Sequence, residues 1–144
     1  MFREIRGLQQ SRSAGRRRWF QNPYFDLFVR QDGLGRPEWF QLCYLRDTRR
    51  ERILEWKRGR GFQHLKVEQP SHAADPKSGA LLLDGAMPHD EVLERFAAAA
   101  QGLPPPIASF VEHKVREHRR PSHRFRRPAA KTPRWLERLR KRTL

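Results

Sequence analysis

Residues 24–68 read YFDLFVRQDGLGRPEWFQLCYLRDTRRERILEWKRGRGFQHLKVE, and this stretch decides the fold. Phe25, Leu27 and Val29 alternate with Tyr24, Asp26 and Arg30, the period-two pattern of a half-buried strand. Phe28 breaks the alternation and points to a partly covered second face. Gly33 and Gly35 supply a turn before the next run, Trp39 to Leu45. There Phe40, Leu42 and Tyr44 face one way and Trp39, Cys43 and Leu45 the other, as in a central strand with both faces apolar. A third run, Glu51 to Lys57, places Leu54 and Trp56 together; Gly59 and Gly61 turn the chain into a fourth, Phe62 to Glu68, with Leu65 and Val67 expected inward beside Gln63. Connections this short favour antiparallel neighbours.

Ala80 to Asp84 is short and apolar and reads as a fifth strand, after a loop broken by Pro70, Pro76 and Gly79. Two helical patterns follow. Pro88, Asp90 and Glu91 suit a helix start, and Val92, Leu93, Phe96, Ala97 and Ala100 form its apolar stripe. Gly102 and Pro104–Pro106 separate it from a second stripe, Ile107, Phe110, Val111 and Val115. Strands first and helices after predict an α+β fold: an antiparallel four- to five-stranded meander covered by two C-terminal helices, with a basic C-terminal tail.

The expected organisation is an N-terminal arm over 1–18, a single α+β domain over 19–118, and a basic tail over 119–144 ending in a short amphipathic helix. In the arm, Phe2, Ile5 and Leu8 have the spacing of one side of a short helix. In the tail, Thr132 and Pro133 suit a helix start, and Trp135, Leu136 and Leu139 make a small apolar edge among cations.

The formal net charge is +15, and residues 119–144 carry 11 Lys or Arg against the single acid Glu137, so +10 of it lies there. Only 37% of the chain is apolar and 33% is charged, enough for a modest core but not one spanning the full length. The single cysteine, Cys43, excludes an internal disulfide framework and reads as a small packed hydrophobe in a reducing compartment. No window approaches the ~18 apolar residues of a membrane span, and the N-terminus has no apolar run resembling a secretory signal. A cytoplasmic location is expected.

Parts of residues 16–64 resemble a group of small bacterial proteins. The matching pieces are Arg-Arg-Arg-Trp-Phe at 16–20, Phe25-Asp26-Leu27, Phe40-Gln41-Leu42-Cys43-Tyr44, Glu51-Arg52 with Trp56, and Phe62 with His64. The resemblance implies one compact domain of bacterial type. It transfers no activity and no catalytic residue, and the basic tail lies beyond it.

No catalytic, cofactor or metal signature stands out. His113, His118 and His123 recur every five residues, about 140° apart around a helix, which is wrong for a metal pair. His64, Glu68, His72 and Asp75 form a loose acid–base cluster, more simply read as a surface strand and a polar loop. Gly59-Arg60-Gly61 is a turn without the helix a phosphate loop needs.

Charge therefore carries the functional expectation: a nucleic-acid (RNA or DNA) or ribonucleoprotein binder. Arg16, Arg17, Arg18, Arg58, Arg60, Arg119, Arg120, Arg124, Arg126, Arg127, Arg134 and Arg138 are the candidate phosphate contacts, and Phe125 and Trp135 the candidate stacking residues. Trp19 and Phe20 fit either a stacking platform or an anchor for the sheet. One alternative is a non-enzymatic domain docking an acidic protein. A second is a metal-free ribonuclease-like toxin using Arg52, Lys57, Arg58 and His64, although helices before strands would be expected of that fold.

Overall fold

The computed structural model describes residues 1–8, 10, 15–67, 81–83 and 87–119, with Val67 and Leu81–Leu83 defined by backbone alone. Seven strands form one antiparallel sheet in sequence order: β1 (Arg3–Ile5), β2 (Arg16–Gln21), β3 (Phe25–Gln31), β4 (Pro37–Tyr44), β5 (Arg52–Lys57), β6 (Gly61–Val67) and β7 (Leu81–Leu83). Helices α1 (His89–Ala99) and α2 (Pro105–His118) follow, joined through a 3-10 turn at Ala100–Gly102. The α+β meander is as expected. Its size is not: seven strands replace four or five, because two N-terminal strands extend the sheet.

Within residues 1–18 the expected short helix is replaced by a strand. Arg3–Ile5 pairs with Trp19–Gln21 of β2. Helical spacing would have put Phe2 and Ile5 on one side; along extended chain an odd separation puts them on opposite faces. Phe2 is buried among the helix-facing residues, whereas Ile5 packs against the other side of the sheet. The Phe2 ring stacks on Phe25 at 5.6 Å and meets the Phe96 edge at 5.6 Å. Its amide donates to the Ala99 carbonyl at 3.0 Å, tying β1 to the end of α1.

Across β4, Phe40 and Leu42 are fully buried on the helix side, with Val92, Phe96, Ile107, Val111 and Val115 packed above them. The opposite face is a second cluster of Trp19, Phe28, Trp39, Cys43, Ile53 and Leu65, against which Ile5 and Leu8 pack. Cys43 is a free, fully buried thiol, as expected of a packed hydrophobe. The facing of β6 is the reverse of the expectation. Trp56 pairs with Phe62 and Leu54 with His64, so Phe62 and His64 take the helix side and Leu65 joins the second cluster. The Lys57↔Gly61 pairing fixes that register, and a one-residue change in register inverts every side chain.

Helix α2 starts two residues earlier than the apolar stripe, at Pro105, because proline fits the first helical positions. Gly102 lies where the chain passes β1: a Cβ there would sit 1.8 Å from the Phe2 carbonyl oxygen. Gly102→Ala is therefore predicted to cost on the order of 3 kcal/mol in urea unfolding. Gly59→Ala sits in an open turn with positive φ and nothing within 4 Å, and should cost only about 1–2 kcal/mol. The reverse order would contradict the role of the β1 contact.

Candidate nucleic-acid interface and a histidine cluster

Arg16, Arg17 and Arg18 open β2, the strand that β1 covers only from Trp19 onward. Among the described residues, one side chain reaches into that gap. The Gln10 amide donates to the Arg17 carbonyl at 2.7 Å and accepts from the Arg17 N–H at 2.8 Å. Gln10 thus supplies the donor and acceptor of a neighbouring strand residue. Around it lies a groove of about 400 Å³ bordered by Glu4, Arg6, Gln10, Arg16, Arg17 and Arg18.

The arginines of this groove are not equivalent. Arg18 grips Glu4 through two hydrogen bonds of 2.9 and 2.8 Å, and its guanidinium lies over the Phe20 ring at 5.1 Å. The Arg18 hydrogen bonds hold the Glu4 carboxyl below its usual range; burial opposes them, and the charges of Arg18, Arg16 and Arg6 assist. Arg16 and Arg6 are exposed and make no ion pair among the described residues. Arg6 was missed in the sequence because it stood in a presumed arm.

The remaining predicted contacts divide similarly. Arg58 donates to Asp32 at 3.1 Å and to the Pro37 carbonyl at 3.0 Å, bracing the β3–β4 turn. Asp32 also accepts from the Arg36 and Leu34 amides; the Arg36 bond above all, opposed by desolvation and assisted by Leu34 and Arg58, keeps its carboxyl low. Arg60 is exposed at the same end of the sheet, with no ion pair among the described residues. Arg119 pairs with Asp90 at 2.6 Å. Arg18, Arg58 and Arg119 are thus structural pairs as well as candidate contacts. Arg120, Arg124, Arg126, Arg127, Arg134, Arg138, Phe125 and Trp135 lie outside the described residues.

Trp19 and Phe20 are anchors, not a platform: both are buried, Trp19 stacks on Phe28 at 5.3 Å, and its indole N–H donates to Asp26 at 2.9 Å. The cations suggested for a ribonuclease do not converge, since Arg52 begins β5 and Lys57 ends it, about 17 Å apart along a strand.

The structure instead assembles a histidine cluster that the sequence did not reveal. Tyr44 Oη and His64 Nε2 share a hydrogen bond of 2.7 Å, with both residues buried. The His64 ring lies 6.2 Å from that of His118, and Phe62 lies 5.1 Å from His118. His118 Nδ1 and His89 Nε2 are 2.9 Å apart and hydrogen bonded. His113, by contrast, is exposed on α2 away from this group, and His72, His123, Glu68 and Asp75 lie outside the described residues. Among the described residues no set of three or more His, Cys, Asp or Glu is disposed to hold a metal ion, and no helix is long and apolar enough to cross a membrane.

Compared with known proteins, the chain matches no family model, no curated protein and no solved structure.

Burial pushes His89 below its ordinary value of 6.5; a hydrogen bond to the Met87 backbone opposes this, Arg119 adds to it and Asp90 opposes it. The unfolded chain therefore takes up this proton first as pH falls. Stability is predicted to be intact above pH 6.5 and to decline as pH drops through the lower folded value, read by urea midpoints across that window. Tyr44→Phe leaves His64 without that partner in a buried site and should cost about 1–3 kcal/mol at neutral pH. An unchanged midpoint would show that the bond contributes nothing.

Proposed function

We propose that this protein is a cytoplasmic nucleic-acid or ribonucleoprotein binder, gripping phosphates with its basic C-terminal residues 119–144 and with the groove at the start of β2. The groove carries the reading: Arg6 and Arg16, without ion pairs of their own among the described residues, flank a cleft of about 400 Å³ whose one carboxylate, Glu4, is already spent on Arg18. Such a site suits a phosphodiester group. Arginine is also the side chain best matched to phosphate geometry. The concentration of +10 in the last 26 residues supports a polyanion as the partner. The resemblance to small bacterial proteins belongs to the same proposal.

Fluorescence anisotropy with single-stranded RNA and DNA oligonucleotides tests it. If six to ten phosphates are engaged, affinity falls roughly 10³- to 10⁵-fold between 50 and 200 mM salt. The Arg6→Ala/Arg16→Ala pair should lower the salt slope by about 1.4 on single strands, the share of two phosphates. A chain ending at Arg119 should lose most affinity while keeping its urea midpoint. Absence of binding by the full chain to either polymer at 50 mM salt would reject the proposal.

A further inference from the structure

The His89–His118 contact sits at a junction. His89 is the first residue of α1 and His118 the last of α2, so one hydrogen bond joins the start of one helix to the end of the other. Beside it Arg119 pairs with Asp90 at 2.6 Å, a second tie between the same helix ends. The basic stretch follows directly in the sequence. We propose that this pair of ties is an acid-opened clasp that governs how firmly the basic stretch is held at its root, and thereby its grip on nucleic acid. The regulatory half rests on the nucleic-acid reading above; the clasp rests on the contacts themselves.

His89 Nε2 and His118 Nδ1 face each other at 2.9 Å, so one ring donates and the other accepts. A second proton on the donor ring leaves the bond in place. A second proton on the acceptor ring as well sets two N–H groups against each other across 2.9 Å, and the bond is lost.

The groups facing the pair oppose that second proton more than they favour it. From α1, Asp90 favours it; the N-terminal dipole of α1 opposes it. From α2, Arg119 opposes it. From β6, His64 lies 6.2 Å from His118, bonded to Tyr44 of β4, and Phe62 presents an apolar ring at 5.1 Å. The clasp thus stays shut through the ordinary imidazole range and opens below it. Opening removes one of the two ties between these helix ends and adds imidazolium charge beside Arg119 at the root of the basic stretch, so binding to a polyanion strengthens as pH falls.

The test uses the full chain and His89→Gln, whose amide oxygen can accept from His118 Nδ1 but does not titrate. Amide hydrogen exchange in the last turn of α2, corrected for intrinsic rate, should quicken about tenfold per unit of pH in the wild type below the opening point, and not in His89→Gln. Imidazole nitrogen shifts give a second readout in the wild type alone: His89 should stay neutral below its ordinary value of 6.5. Binding of a single-stranded RNA oligonucleotide, compared at about pH 7.5 and at about one pH unit below the opening point, should strengthen roughly fivefold more in the wild type than in His89→Gln, the upper range for one exposed ion pair gained. Equal exchange in the two proteins, or His89 titrating at or above its ordinary value, would overturn the clasp. RNA binding with the same pH dependence in both would overturn its regulatory role. Absence of RNA binding with the exchange difference intact would reject the nucleic-acid reading and leave the clasp standing.

Discussion

Everything in this fold follows from β4 being buried on both faces. Phe40, Leu42 and Tyr44 on one side and Trp39 and Cys43 on the other are all nearly inaccessible. A strand of that kind is stable only at the centre of a sheet whose two surfaces are both buried. The two helices satisfy one surface with Val92, Phe96, Ile107 and Val111. The other gathers Trp19 and Phe28 from β2 and β3, and Ile53 and Leu65 from β5 and β6. The N-terminal residues serve both sides, Phe2 closing the helix layer and Ile5 the opposite one.

The central four strands were legible because alternation, glycine turns and short connections all pointed the same way. The first strand was not, because three residues are too few to establish a period and Phe2, Ile5 and Leu8 also fit a helix. The facing of β6 was ambiguous in sequence, since Phe62 and Leu65 each offer an apolar side. Only the pairing with Trp56 resolves it. Trp19 shows the limit of reading an aromatic beside arginines as a stacking surface: adjacent strand residues point to opposite faces, and Trp19 belongs to the core.

Charge was legible in amount but not in use. Glu4, Asp32 and Asp90 each occupy an arginine that composition alone would leave available, and each is far from its partner in sequence. Of the candidate arginines, Arg16 and Arg60 remain without an ion pair among the described residues, and Arg6, outside the sequence-based set, joins them. The histidine cluster was hidden for the same reason: it draws on positions 44, 64, 89 and 118, one each from β4, β6, α1 and α2. No spacing rule within one element anticipates such a group.

The Gln10 amide on Arg17 has a bearing on solubility. Among the described residues the initial half of β2 extends past β1, and unpaired peptide donors and acceptors on such an edge are the feature by which sheets recruit strands from other molecules. Gln10 fills that position with a side chain, and the run of arginines adds like-charge repulsion between copies. A sheet rich in aromatic residues is thereby less open to strand addition at Arg17.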